Sequence, residues 1–164
     1  MAYTYGLTKI EFADILETGG PGTSFSEIGY TNPGTTKFTT DKGTTNEKRC
    51  EELSSPLVSI PGDETIKVAT QLIVADADTL ALVLGGTSTL GVWSAPDSPP
   101  VIEQTVKVTP LSGMVWQINR GSISGGINAT LSKDGDLFYV DVEITVLQPE
   151  LEATPRITAT EPGE

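Results

Sequence analysis

The hydrophobic period of this chain changes once, and that change constrains the fold more than any other feature. Over Ala75-Asp-Ala-Asp-Thr-Leu-Ala-Leu-Val-Leu-Gly-Gly-Thr87, residues Leu80, Val83 and Leu84 recur at i, i+3 and i+4, the spacing of one helix face. Asp76 or Asp78 is placed to cap the helix start, where a carboxylate accepts free backbone N–H groups at the positive end of the dipole. Gly85-Gly86 supplies the left-handed conformation that ends a helix. These signals predict one helix over 76–85. Elsewhere the apolar residues alternate, so the chain is expected to be mainly β, a β-sandwich with one short helix plugged onto it.

The expected strands follow from period-two patterning. Leu7 to Ile15 is a first strand, Gly19-Gly-Pro-Gly a loop, and Glu27 to Tyr30 a short strand closed by Asn32-Pro-Gly. Asp63 to Val74 places Ile66, Val68, Leu72 and Val74 on one face. A short strand or turn around Trp93 and a stiff loop at 95–100 follow. Three strong strands finish the domain: around Val101 to Val108, Gly113 to Ser124, then Leu137 to Leu147, with a further short one at Ile127 to Leu131. The last strong strand is the cleanest, with Phe138, Val140, Val142, Ile144 and Val146 on one face and Tyr139, Asp141, Glu143 and Thr145 on the other. The expected organisation is a single domain over 1–148 and a mobile acidic, Pro-containing tail over 149–164.

The segment Thr35 to Leu53 breaks the rule of one apolar face. Thr35-Thr-Lys-Phe-Thr-Thr, Asp41-Lys-Gly and Thr44-Thr-Asn-Glu-Lys-Arg-Cys read as two strands around a turn, yet apart from Phe38 and Cys50 both faces are polar. A strand without an apolar face has no reason to lie on its own core. It projects as a ribbon or packs on another molecule. The alternative for Glu47 to Glu52 is a short charged helix. Thr39, Thr40, Asp41, Lys42, Gly43, Thr44, Thr45 and Asn46 form the expected tip of an inter-subunit arm.

Composition excludes several functions. The 164 residues carry 22 acidic against 10 basic side chains, a formal net charge of −12. Such a surface disfavours binding to nucleic-acid phosphates and to anionic membranes. No apolar run approaches membrane-spanning length. There is no histidine, so the commonest general base and metal ligand is missing. Cys50 is the single cysteine and cannot form an internal disulfide, which suits a reducing compartment. The start, Met1-Ala-Tyr-Thr-Tyr-Gly-Leu-Thr-Lys, lacks a basic stretch followed by an apolar run, so no secretory leader is expected.

No motif assembles a catalytic centre. Asp134-Gly-Asp136 reads as a hairpin turn, because a calcium loop needs more ligands and a distal Glu. Asn128-Ala-Thr130 matches a glycosylation acceptor without a secretory signal beside it. Cys50 has Lys48 and Arg49 nearby but no histidine base. Neither Gly85-Gly86 nor Gly125-Gly126 belongs to a phosphate loop. Asp141 and Glu143 share a strand face, but alternating carboxylates on a solvated sheet are the simpler reading than a glycosidase pair. Trp93 and Trp116 read as core or interface residues. No enzymatic activity, cofactor or metal is expected.

The order of these features resembles the phage major tail proteins, the subunits of the tail tube. The resemblance rests on the early strand Leu7–Ile15, the Gly-rich loop, and the polar Thr-rich hairpin before a central strand. That strand, Thr65-Ile-Lys-Val-Ala-Thr-Gln-Leu-Ile-Val, runs directly into Asp76-Ala-Asp-Thr-Leu-Ala-Leu-Val-Leu-Gly-Gly-Thr87, and strong strands follow to Leu147. It covers roughly residues 7–147. The resemblance implies a β-sandwich or partly closed β-barrel, similar in fold to type VI secretion tube proteins. It implies stacked hexameric rings forming a hollow tube, with DNA only in transit through the lumen. Implied partners are further copies of the chain and the tape-measure, terminator and initiator proteins of a tail, with no membrane. The implied location is the virion tail, after synthesis in a bacterial cytoplasm. The long hairpin would reach a neighbouring subunit or the next ring. Asp141 and Glu143 would then line the lumen or an interface; otherwise they simply face solvent. The rival reading is a monomeric β-sandwich that binds carbohydrate or protein through Tyr30, Trp93 or Trp116.

Overall fold

A computed structural model of the chain describes residues 3–74, 76–135 and 137–163. Ala75 at the strand-to-helix junction and Asp136 of the expected turn lie outside the described residues, as do 1, 2 and 164. Along the chain run β1 (Lys9–Asp14), β2 (Ser26–Glu27), β3 (Tyr30–Thr31), β4 (Lys37–Asp41), β5 (Asn46–Lys48) and β6 (Val58–Ile60). They are followed by β7 (Thr65–Val74), α1 (Ala77–Leu84), β8 (Thr87–Thr89), β9 (Val92–Ser94) and β10 (Ile102–Thr109). The last elements are β11 (Val115–Ile127), β12 (Val140–Val146) and β13 (Ile157–Thr160).

Alternation decides which face each strand buries. In β12, Val140, Val142, Ile144 and Val146 are buried, while Asp141, Glu143 and Thr145 point to the other face. The register sets Ile144 beside Val68 of β7 and Ile123 of β11, so the apolar rows align across three strands. Ile10 and Phe12 of β1 and Val106 and Val108 of β10 extend the same core. The antiparallel order is β2-β1-β10-β11-β12-β7-β3, with β4 also on β7 and β13 also on β11, nine strands in all. This sheet curls into a half-barrel around the core. A partly closed barrel with one helix is therefore the architecture.

The helix forms where capping chemistry and apolar spacing agree. Asp76 is the N-cap, its Oδ1 accepting the Thr79 N–H at 2.8 Å. That bond, reinforced by the Thr79 hydroxyl, holds the Asp76 carboxyl below the usual carboxylate range. Gly85 closes the helix at φ 78°, its N–H donating to the Ala81 carbonyl. The helix packs on β11 at Gly125, where a Cβ would sit 2.7 Å from side-chain atoms of both Val83 and Leu84. It plugs one end of the half-barrel, with Val83 buried in the core.

Two expectations are corrected. The short strand at 127–131 does not exist: β11 runs unbroken through Ile127, and the chain then loops, leaving Leu131 exposed. The segment 149–164 is also not a loose tail. Ile157–Thr160 pairs with the first half of β11, on the side where β12 pairs with the second half. β12 and β13 thus share one side of β11, with a looped-out insertion between them. The insertion is pinned by Arg120, which donates to Glu103 from Nε at 2.8 Å and Nη2 at 3.0 Å and to the Gln148 carbonyl at 3.0 Å. Those interactions with Glu103 hold the guanidinium charged. Asn119 Nδ2 donates to the Pro155 carbonyl at 2.7 Å. The physical reason is that β11 would otherwise present unpaired backbone groups along Val115–Ile118, before its pairing with β12 begins at Gly121.

Candidate assembly interface

The polar segment after Thr35 is a ribbon, but its partner and tip differ from expectation. β4 does not fold back on β5. Lys37 to Asp41 pair with Ala69 to Thr65 of β7, and Asn46 to Lys48 pair with Ile60 to Val58 of β6. Residues 42–45 and 61–64 fill equal gaps, so both pairings belong to one long hairpin in a single register. Gly43 and Gly62 let the strands approach there: a Cβ on Gly43 would lie 2.7 Å from the Asp63 carbonyl oxygen. The Asp41-Lys-Gly turn signal is spent on a local contact, Gly43 N–H to Asp41 Oδ1 at 2.9 Å. Thr39 to Asn46 therefore form the outgoing strand, and the tip is 49–57.

Beyond Thr65 the ribbon projects from the sheet, touched among the described residues by Arg156, whose Nη2 lies 3.8 Å from Glu64 at its base. Every residue from Lys37 to Arg49 and from Glu51 to Pro61 is exposed, with Cys50 half-buried between them. The exposed set includes apolar side chains: Leu53 at 54%, Leu57 at 59%, Val58 at 52% and Ile60 at 51%. A two-stranded hairpin is marginal in water without a surface to pack on. One that carries four bare aliphatic side chains is suited to burial against another molecule.

Asp141 and Glu143 lie on the outer face of the half-barrel, away from the core. The register brings the base of the ribbon onto the same face, in the row Lys37–Ala69–Glu143–Ser124. The carboxylates are not bare. Gln71 Nε2 donates to Asp141 at 2.9 Å, and Lys67 Nζ lies 3.0 Å from Glu143. The face is polar and shallow, of mixed sign rather than acidic. It does not join the carboxylates to the ribbon's Lys42–Asn46 half, which lies beyond the sheet.

The aromatic candidates separate. Trp93 is half-buried, with Nε1 donating to the Gly85 carbonyl at 2.8 Å, so it locks the hairpin β8–β9 onto the helix end. Tyr30 is exposed on a short edge strand. Trp116 lies 6.0 Å from Phe38, ring centre to ring centre, in an open cavity of about 890 Å³. The cavity is also lined by Tyr5, Leu7, Ile66, Val108 and Ile157. Asp134 and Gly135 lie in a turn, with the Asp134 N–H on the Ser132 hydroxyl. Among the described residues no three His, Cys, Asp or Glu side chains are grouped to hold a metal. No helix among them is long and apolar enough to cross a membrane.

Sequence reasoning missed the cavity and the reverse half of the ribbon. The available signals were two isolated aromatics, Phe38 and Trp116, and the aliphatic run Leu57-Val-Ser-Ile60. No protein-family model matches the chain, and no curated protein matches it either.

Proposed function

We propose that the chain is a structural subunit of a phage or prophage tail tube, assembling with its own copies into stacked hexameric rings around a DNA-conducting channel. The observation that carries this reading is the two-sided exposed ribbon on a half-barrel whose sheet edges stay open. Such a ribbon has a use when it lies across a second copy. The net charge of −12 supports it as well, since a negative wall lets DNA pass without adhering. In this reading the chain performs no chemistry. Its further partners would be the proteins that start, measure and terminate the tube.

The test removes the ribbon and keeps the sheet. Excising Lys42 to Glu64 and joining Asp41 to Thr65 through Asn-Gly leaves the β4–β7 pairing a favourable two-residue turn. The expected product is a folded monomer that forms no tubes at concentrations where the full chain does. Normal tubes from this variant would overturn the role of the ribbon.

A second reading draws on the aromatic cavity. A monomeric binding module would place a ligand against Trp116 and Phe38. A glycan or peptide that binds the monomer, and is lost in Trp116→Ala, would favour it.

A further inference from the structure

We infer that the ribbon is a lid for the cavity at its own base. Its distal part, 46–60, bends about a joint at 42–45 and 61–64 and lays Val58 and Ile60 across the cavity mouth, over Phe38 and Ile66. The lid needs no second copy, so it stands whether or not the ribbon later crosses to one.

The joint is built into both strands at one level. The ladder pairs Lys37–Asp41 with β7 and Asn46–Lys48 with β6, and it is interrupted between them. Among the described residues no backbone hydrogen bond joins 42–45 to 61–64. Each strand has its own cause. Pro61 has no N–H to give to a ladder. The Gly43 N–H is drawn aside to Asp41 Oδ1. Gly43 sits at φ 65°, and a Cβ on Gly62 would collide with the Thr44 carbonyl oxygen. Two glycines facing each other across an unbonded level give the ribbon backbone freedom there, while the ladders on either side keep it straight elsewhere.

The register fixes which face the lid presents. Phe38 stands opposite the buried Val68 and Thr40 opposite Ile66, and Phe38, Thr40 and Ile66 all line the cavity. Counted by two along the same register, Asn46 opposite Ile60 and Lys48 opposite Val58 continue that row. Glu47 and Arg49, paired at 2.6 Å, fall in the other row with Ser59. A bend toward the cavity therefore presents Val58 and Ile60 and leaves the ion pair in water. Lys48, in the presented row, reaches water along its own stem.

Reach and chemistry agree with closure. Ile60 lies three residues beyond the level of Gly43 and Asp63, and Thr40 and Ile66 lie three residues before it, about 10 Å on either side. Val58 and Phe38 lie five residues from the same level, about 17 Å on either side. Folding at the joint thus sets Ile60 over Thr40 and Ile66, and Val58 over Phe38. None of the described residues lining the cavity is charged, so an aliphatic lid leaves no ion without water. With the ribbon extended, Tyr5 and Phe38 of the cavity are exposed, as are Val58 and Ile60. Closure removes both apolar surfaces from water together.

The experiment measures closure by cross-linking within one chain. All variants carry Cys50→Ser. In Thr40→Cys/Asn46→Cys the two thiols stand on the cavity side, about 20 Å apart along an extended ribbon. Closure brings them to about 10 Å, the spacing of packed sheets, within reach of a bismaleimide of that length. In Thr39→Cys/Glu47→Cys the thiols stand on the other row, which closure keeps apart. The cavity-side pair should cross-link within the monomer band of a denaturing gel at least tenfold faster than the outer pair. Equal rates, a faster outer pair or no monomer cross-link would overturn the lid. The second measurement uses Val58→Ser/Ile60→Ser, at two side chains that are exposed when the ribbon is extended. Acrylamide should quench Trp116 at least twofold more strongly in this variant than in wild type, Trp93 at the helix end being common to both. Unchanged quenching would overturn the lid. Both readouts come from single chains, so a failed lid leaves the tube reading standing, and a chain that forms no tubes leaves the lid standing.

Discussion

Asp76 shows how much one residue can settle. Its carboxylate caps the helix through the Thr79 N–H, and its depressed pKa reports that bond. Asp76→Ala should lower unfolding stability by about 1 kcal/mol, the usual loss for such a cap. The sign with pH follows. The folded carboxyl titrates below its ordinary value of 3.8, so the contribution is fully present above that value and is lost as pH falls through the lower folded one. Urea unfolding of wild type and variant should therefore differ at pH 6 and converge in strong acid. Gly125 is the complementary case. A side chain there meets Val83 and Leu84 at 2.7 Å, so Gly125→Val should cost about 1–3 kcal/mol by lifting the helix. The cap was legible in the sequence because capping acts within one turn. Gly125 was not, because its requirement comes from a helix some forty residues earlier in the chain.

Elements were legible where the pairing partner did not matter. β7, α1 and β12 follow from their own periodicity, and the structure has them within a few residues of expectation. Partners were harder. The Asp41-Lys-Gly signal suggests a local hairpin, yet the strand runs straight on and finds its partner beyond a tip at 49–57. The C-terminal strand was hidden in the same way: Glu, Thr and Pro dominate the segment, and only Arg156-Ile-Thr-Ala-Thr160 pairs in the gap that β12 leaves along β11. Ile157 packs half-buried on the core, so Ile157→Ala should destabilise by about 1–2 kcal/mol, below the range of roughly 2–5 for a fully buried site. Thermal unfolding would measure it. An unchanged melting temperature would mean that β13 adds nothing to the sheet.

At the scale of the molecule, the half-barrel has an aromatic cavity and a projecting ribbon at one end and the helix at the other. Beyond the presence of an arm, this was not legible in the linear chain, because a cavity is defined by which strand ends the topology gathers. The most direct test of the central claim is negative-stain electron microscopy of the purified full-length protein across a concentration series. The account predicts rings that stack into hollow tubes as concentration rises, absent from the ribbon-excised variant. Discrete monomers at every concentration, for wild type and variant alike, would contradict it.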